Sequence, residues 1–387
     1  MARPLPRCRP GFTDHIFKTA HGVQLPLRFW PPATDARNVR ARNVRARPPW
    51  LLWVHGGESR AKGSRAEHRR AVSIHLGSHR PPCSALQKGQ ASRFPAAAQS
   101  GLLLTIGGYT CGKWSAPTAW ISRAFADRGY AVVSVGYRLQ PQASFADMVA
   151  DCIDAAAWCR HNLPALHGTS EKWVVGGASS GATLAAMVAH AEQPDAFVSV
   201  YGLLDTAHYL DDEKCRPAYE EGYLTSEAEV ERAMQDRDPR NASTQNPWAD
   251  EFPPHVSLQE ARDALGLPAW TPSRENLLRV DMYTYVARHQ NLMDVIYRRE
   301  QFADDAAFRA HVEANSPTQL LKSKTTFPPT FFLHGDRDNI VPTLQTTNMA
   351  ERLREMEVPH QVHYEPGAGH VYDFAFEVSW GAKVPSF

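Results

Sequence analysis

The stretch that most restricts the fold of this chain is KWVVGGASSGATLAAM, residues 172–187. In it an apolar run meets GGASSG, and a helical pattern of small residues begins at once. A G-x-S-x-G sequence at a strand-to-helix turn presents a serine hydroxyl at the end of a parallel sheet. Gly177 and Gly181 suit this turn because it holds the serine in a strained conformation and a Cβ at either position would crowd the backbone. We therefore predict Ser179 as a nucleophile, with Ser180 as the less well placed competitor.

Apolar runs alternate with helical patterns along most of the chain. Such alternation predicts the α/β class, with a mostly parallel central sheet flanked by helices. The predicted strands are 16–19, 23–29, 50–54, 130–137, 172–176, 197–201, 329–333 and 361–364, of which the first two form a hairpin. The predicted helices are 116–128, 143–162, 180–191 and 343–356.

The alternation stops after Asp205, and residues 206–321 combine helical patterns with many Tyr and Trp residues but no convincing strand. We predict that they form a helical cap inserted between two strands of the sheet. The predicted organisation is 1–49 for N-terminal strands and a polar loop, 50–205 for the first part of the α/β core, 206–321 for the cap and 322–387 for the second part of the core.

The charge and composition of the chain argue against nucleic acid and membranes as binding partners. With 387 residues, 43% apolar residues and a formal net charge of +1, the chain is large enough for one α/β domain with an insertion and has no global field that attracts nucleic acid. No segment approaches the ~18 apolar residues of a membrane span, so we expect a soluble cytoplasmic protein. The six cysteines show no paired C-x-x-C spacing, which favours reduced thiols over disulfides or structural zinc.

A serine nucleophile needs a base and an acid that orients the base. The segment PPTFFLHGDRDNIVP offers Asp338 after an apolar strand, and HQVHYEPGAGH offers His370 after the next one. Their order, serine then acid then histidine, is the one found with G-x-S-x-G elbows. Asp336 is expected to brace the same turn, as is His334, and Asp205 is the rival acid.

Stabilising the charge that develops on an attacked carbonyl requires backbone N–H donors. The apolar run 50–54 is followed by His55, Gly56 and Gly57. This sequence resembles the start of an H-G-G-G turn, which supplies such donors. The N–H of Ser180, directly after the nucleophile, is the expected partner donor.

At this point the sequence resembles the α/β-hydrolase superfamily, and within it the HGGG-bearing esterase and lipase group similar to hormone-sensitive lipase, which includes many fungal esterases. The resemblance covers residues 50–57, 107–205 and 329–373. It implies an esterase-like hydrolase without a cofactor and without a metal, whose triad is Ser179, Asp338 and His370 and whose oxyanion donors are Gly56, Gly57 and Ser180. Microbial members have GDSAGG at the elbow, where this chain has Ala178 and Ala182 for the acid and the last glycine.

The H-G-G-G motif is interrupted. Residues 58–106 carry eight Lys/Arg against two Glu and show no periodicity until LLLTI, after which GGYTCGKW begins at Gly107. Joining VHG to GGYTCGK restores an unbroken motif, VHGGGYTCGK. We interpret 58–106 as a retained intron or a disordered insert, with a genuine inserted loop as the alternative. Without the segment, Gly107 and Gly108 become the oxyanion donors.

We expect a serine hydrolase that cleaves a carboxylic ester of a small or medium apolar molecule through an acyl-enzyme, with no nucleic-acid partner and no membrane span. Amidase or formamidase, lactonase and thioesterase activities use the same triad and stay open. A catalytically impaired or non-catalytic ligand-binding homologue also stays open, because the oxyanion loop is interrupted. A peptidase of this type is expected to carry a larger additional domain.

The intron hypothesis predicts that the mature transcript joins the first base of codon 57 to the second base of codon 107, which keeps the reading frame and fuses two glycines into one. Sequencing the mature transcript across this junction tests the hypothesis. A dominant message that reads continuously through codons 58–106 contradicts it.

Overall fold

The computed structural model describes residues 13–31, 99–112, 125, 130–169, 171–213, 222–244 and 273–373. By its contacts the chain separates into a first unit, 1–43 with 96–387, and a second unit, 44–95. The second unit lies outside the described residues, as do the predicted strand 50–54 and, apart from Phe125, the predicted helix 116–128.

The strands are β1 Thr13–Ala20, β2 Val23–Trp30, β3 Gln99–Gly107, β4 Tyr130–Val135, β5 Trp173–Ser179, β6 Ala196–Val200, β7 Thr330–Gly335 and β8 His360–Glu365. The α-helices are α1 Phe145–His167, α2 Ser180–Glu192, α3 Thr206–Glu213, α4 Glu227–Gln235, α5 Arg274–His289, α6 Leu292–Ile296, α7 Asp305–Ala314, α8 Pro317–Leu320 and α9 Leu344–Glu355. Short 3₁₀ turns lie at Pro239–Asn241, Arg299–Gln301 and Leu321–Ser323.

The eight strands form one sheet in the order β1-β2-β4-β3-β5-β6-β7-β8. The first two strands form the predicted hairpin, β2 pairs with β4 in the antiparallel sense, and every pairing from β4 to β8 is parallel. The predicted α/β class, with a mostly parallel sheet, is confirmed. This order brings the carboxyl ends of β3, β5, β6, β7 and β8 to one edge of the sheet.

The strand between β4 and β5 differs from the prediction. The sequence pattern indicated 50–54 for the strand before the glycine turn, whereas in the structure Gln99–Gly107 pairs with β4 on one side and β5 on the other. The segments WLLWVHGG and LLLTIGG share one pattern, an apolar run followed by glycines, and a single position between β4 and β5 can hold only one of them. Sheet pairing thus begins at Gln99, inside the predicted insert.

Two helices cover the sheet beneath the serine turn. A capping box between Ser144 and Asp147 begins α1, and Gly168 in the left-handed conformation ends it, as expected for these residue types. The small residues of α2 are buried along most of its length, so this helix packs closely on the sheet. The dense packing of α2 gives the serine turn a rigid support.

Within its described part, the predicted cap segment 206–321 contains helices and no strand. Its helices α4 and α5 enclose a small apolar cluster of their own, formed by Val230, Met234, Met282 and Val286. Over the described residues no helix is both long and apolar enough to cross a membrane.

Candidate active site

The turn at Ser179 has the strain that the sequence predicts. Ser179 ends β5 and precedes α2 with φ 54° and ψ −126°, a conformation that side chains rarely adopt. A Cβ on Gly177 would lie 2.2 Å from the carbonyl oxygen of Gly181, so the two arms of the turn touch and glycine is required at position 177. The close contact raises the serine side chain above the end of the sheet.

The structure brings Ser179, His370 and Asp338 into one chain of hydrogen bonds. His370 Nε2 lies 3.1 Å from Ser179 Oγ, and His370 Nδ1 lies 2.7 Å from Asp338 Oδ2. Because an ionised carboxylate only accepts, Nδ1 carries the proton and Nε2 is the acceptor for the serine hydroxyl. The geometry therefore allows the imidazole to take a proton from the serine.

The loops that carry the acid and the histidine are in direct backbone contact. A Cβ on Gly335 would lie 2.3 Å from the carbonyl oxygen of Ala368, and the N–H of Arg337 donates to the same oxygen at 2.9 Å. Gly367 adopts φ 75°, which glycine tolerates without strain. The glycines at these turns keep the two loops close enough for the short bond between Asp338 and His370.

The Asp338 side chain is fully buried and held on both of its oxygens. Oδ1 accepts from the N–H groups of Ile340 and Val341 at 2.9 and 2.8 Å, while Oδ2 faces His370 and, at 3.3 Å, His334 Nε2. Burial alone would raise the pKa of Asp338, but the hydrogen bonds from His334, His370 and Val341 outweigh burial and lower the pKa far below its usual range. Asp338 is thus a carboxylate at neutral pH.

His334 and Asp336, the two residues predicted to brace the acid turn, both make hydrogen bonds there. His334 is buried, with Nε2 at 2.9 Å from the Val341 carbonyl and Nδ1 at 2.8 Å from the Thr346 hydroxyl. Asp336 accepts from the N–H of Gly367 at 2.7 Å. The rival acid, Asp205, accepts from three side chains: Ser316, Gln319 and Asn348.

Gly107 and Gly108, the oxyanion donors predicted for the chain without the insert, lie at the end of β3 and directly after it. Gly107 pairs with Ser179 in the sheet, so the turn that starts at Gly108 begins beside the nucleophile. The N–H of Gly108 donates to the carbonyl of Cys111 at 2.8 Å, and the N–H of Tyr109 donates to Ser180 Oγ at 3.3 Å. Ser180 is the first residue of α2. Gly56 and Gly57 lie outside the described residues.

The sequence patterns did not indicate Arg279, which lies on α5 and is buried beside this turn. Its guanidinium donates to the carbonyls of Gln140 at 2.7 Å and Thr110 at 3.4 Å. Burial lowers its pKa. No local motif marks the residue, since its partners are more than a hundred positions away.

Tyr201 and Asp373 were also missed. Tyr201 follows the end of β6, its ring packs against that of His370, and its hydroxyl donates to Asp373. The position of Tyr201 at the end of a predicted strand was an indication that it lies near the site, because residues at the carboxyl ends of parallel strands gather at one edge of the sheet.

Comparison with known families agrees with the fold. A family model described as the alpha/beta hydrolase fold matches residues 106–270, and one described as the prolyl oligopeptidase family matches residues 280–386. The chain has the α/β-hydrolase fold, and the two matches confirm the resemblance to that superfamily which the motifs indicate.

Individual relatives are more distant. The non-reducing polyketide synthase atr1 of Stereocaulon alpinum is 27% identical over 292 residues, which are 71% of this chain and 11% of the synthase. Esterase LipQ of Mycobacterium tuberculosis is 22% identical over 251 residues, 65% of this chain and 44% of the esterase. The chain therefore spans a small part of the synthase and less than half of LipQ. Among solved structures, the apo form of Thermogutta terrifontis esterase 2 has a TM-score of 0.49 at 16% identity, covering 98% of this chain and 95% of that one.

The environment of Asp338 predicts how Asp338→Asn changes stability with pH. A lowered pKa in the folded state means that the carboxylate stabilises the fold fully above the pKa of about 4 of an unfolded Asp, and loses this effect as pH falls towards the folded pKa. At pH 7 the substitution should lower the free energy of unfolding by about 2 kcal/mol, as expected for hydrogen bonds to a charged group.

Urea unfolding at pH values from 7 to about 3 measures this difference. The gap between the wild type and Asp338→Asn should shrink as pH falls below about 4. Asp336→Asn serves as the matched control, because Asp336 is exposed and accepts a hydrogen bond from the backbone N–H of Gly367. A gap that stays constant down to pH 3 would contradict the assigned state of Asp338.

Proposed function

We propose that this chain is a serine hydrolase that cleaves a carboxylic ester through an acyl-enzyme. The observation that supports the proposal is the continuous set of hydrogen bonds from Ser179 through His370 to Asp338, built on a strained serine turn. In this reading Ser179 is the nucleophile, His370 the general base and Asp338 the group that orients the base.

The reaction follows from these positions. As Ser179 Oγ bonds to the ester carbonyl carbon, its proton passes to His370 Nε2, and Asp338 stabilises the imidazolium that forms. The carbonyl oxygen takes the electron pair and is held by backbone N–H groups. When the intermediate collapses, the alcohol leaves with the proton from His370. Water, deprotonated by the same imidazole, then releases the acid.

The oxyanion donors are the weaker part of the site in the chain of 387 residues. The Ser180 N–H stays a proposed donor, but the N–H of Gly108 is used within its own turn by Cys111. A donor engaged in this way has to reorient before it can bind a developing charge, which reduces the benefit of a preorganised site. For this reason we expect the full chain to hydrolyse esters only weakly.

For the substrate we propose a small or medium apolar ester. The aromatic residues of the predicted cap segment and Tyr283, whose ring lies near Gly108, support an apolar acyl or alcohol group. The cytoplasmic location also stays a proposal.

A second candidate is thioester hydrolysis. It is favoured by the matches to polyketide synthases, including atr1 and one from Penicillium roqueforti, of which the chain spans about a tenth. A thioester has the same electrophilic carbonyl carbon, so the serine, the base and the donors would act in the same way.

A fluorophosphonate probe tests the proposed nucleophile. We expect Ser179→Ala to abolish labelling and Ser180→Ala, which keeps the neighbouring backbone N–H, to label at a measurable rate. Intact-protein mass spectrometry and peptide mapping identify the modified serine. Labelling of Ser179→Ala at the wild-type rate, or an unlabelled wild type, would overturn the proposal.

Three butyryl substrates then separate the candidate reactions: a p-nitrophenyl ester, an N-acetylcysteamine thioester and a p-nitroanilide. The highest Ser179-dependent kcat/KM on the ester supports the first candidate. A higher value on the thioester supports the second, and a higher value on the anilide would overturn both.

Deleting residues 57–106 joins Gly56 to Gly107 and produces the uninterrupted sequence VHGGGYTCGK. Since one oxyanion donor contributes roughly 10²- to 10³-fold to kcat, we expect the shortened chain to exceed the full chain in kcat/KM by about 100-fold. Both chains are compared on the p-nitrophenyl ester after their folding has been checked by circular dichroism. Equal turnover would contradict the prediction.

A further inference from the structure

Tyr201 lies next to the loop that carries His370, and none of the proposed catalytic steps uses it. It directly follows β6, its backbone has φ 39°, and 1% of the residue is exposed. Its N–H donates to the carbonyl of Leu333 on β7, which ties the residue to the strand that leads into the acid turn. The backbone of Tyr201 is therefore bonded directly to the sheet.

The Tyr201 hydroxyl donates to Asp373 Oδ1 at 2.6 Å. Both residues are buried, and Asp373 lies three positions after His370 on the same loop. A hydrogen bond from a hydroxyl to a carboxylate is among the stronger polar contacts in proteins, and its loss in a buried place leaves a costly unpaired group. This bond holds the chain that leaves His370 against the end of β6.

The ring of Tyr201 also contacts the catalytic imidazole itself. The two ring centroids lie 4.7 Å apart in an edge-to-face arrangement, with an angle of 61° between the planes. The geometry is favourable for aromatic pairs. Tyr201 thus contacts the His370 ring from one direction, while Asp338 binds Nδ1 of the same ring.

We propose that Tyr201 is a positioning residue for His370, acting through ring contact with the imidazole and through its hydrogen bond to Asp373. The inference rests on the proposed function, in which His370 moves a proton. The phenol and Asp373 form a brace for the histidine loop that is separate from the bond between Asp338 and His370. The brace keeps Nε2 within reach of Ser179 Oγ when the imidazole gains and loses its proton.

The position of the His370 ring matters because proton transfer from Ser179 Oγ to His370 Nε2 requires the two atoms to stay within hydrogen-bond distance. Asp338 fixes Nδ1 but leaves the ring free to tilt about that bond. The ring of Tyr201 restricts the tilt, and the bond to Asp373 restricts the loop. Loosening either contact should lower the fraction of molecules in which Nε2 faces the serine, so the rate of serine attack falls while substrate binding is unchanged.

The substitution Tyr201→Phe tests the proposal because it removes the hydroxyl and retains the ring. In the full chain we expect the rate of fluorophosphonate labelling and kcat on the p-nitrophenyl ester to fall about tenfold, with KM unchanged, since small displacements of a catalytic group have large kinetic costs. The downfield proton resonance of His370 Nδ1–H should broaden as the loop opens to solvent.

Tyr297→Phe is the matched control. Tyr297 is also buried and its hydroxyl lies 3.0 Å from that of Thr206, so the variant loses a comparable bond elsewhere in the core. We expect a similar fall in Tm but wild-type labelling and an unchanged resonance. An equal loss of labelling in both variants would show that the effect of Tyr201→Phe is general destabilisation and would overturn the proposal.

Asp373 supplies the reciprocal test. Asp373→Asn keeps an acceptor for the phenol and should retain most of the labelling rate, whereas Asp373→Ala should fall as far as Tyr201→Phe. If the bond between Tyr201 and Asp373 causes the loss of labelling, the double variant Tyr201→Phe with Asp373→Ala should label little more slowly than either single variant. Mutations of two contacting partners are not additive. Full additivity would contradict the proposed brace.

The two proposals fail in different ways. An unlabelled wild type would overturn the proposed function, while the resonance of His370 would still report the brace. Ser179-dependent labelling in the wild type, together with wild-type labelling and an unchanged resonance in Tyr201→Phe, would overturn the role of Tyr201 alone.

Discussion

The contact between Gly177 and Gly181 is the constraint on which the rest of the site depends. Any Cβ at position 177 would overlap the backbone of Gly181, and the tight turn that results places Ser179 at φ 54° above the end of β5. Because β5 is central in the sheet, the ends of β6, β7 and β8 lie beside it in that order. The acid turn and the histidine loop then need only short connections to reach the serine. The contact between Gly335 and Ala368 sets the distance between those two loops in the same way.

The three residues of the proposed triad were predictable because each follows an apolar strand within a recognisable turn. Parallel strands bring such turns to one edge, so local patterns 30 to 190 positions apart can be combined without knowing the full fold. Tyr201 follows a parallel strand as the triad residues do, but no turn motif marks it, so its bond to Asp373, 172 positions away, could not be predicted. Arg279 lies on a helix outside any motif, and nothing in the sequence pairs it with Thr110, 169 positions away. Contacts of this kind depend on the packing of whole elements.

The central strand shows why a correct pattern can still indicate the wrong segment. An apolar run before glycines identifies a strand that enters an oxyanion turn, and this chain contains two such runs, 50–57 and 102–108. Local pattern cannot choose between them. The choice depends on simultaneous pairing with β4 and β5, a non-local condition that Gln99–Gly107 meets with Gly107 opposite Ser179.

The turn that follows β3, which carries the proposed oxyanion donor Gly108, is also where the sheet and the predicted cap segment meet. Arg279 of α5 donates to the carbonyls of Thr110 and Gln140, while the N–H of Gln140 donates to the carbonyl of Tyr109 at 3.0 Å. A buried guanidinium that loses its partners is strongly unfavourable, so α5 and the turn hold their relative positions together. Tyr283 of the same helix lies near Gly108. Under the proposed function, an apolar substrate group that packs against α5 would contact the helix that holds the turn of the proposed oxyanion donors. Recognition of that group would then be coupled to stabilisation of the charge.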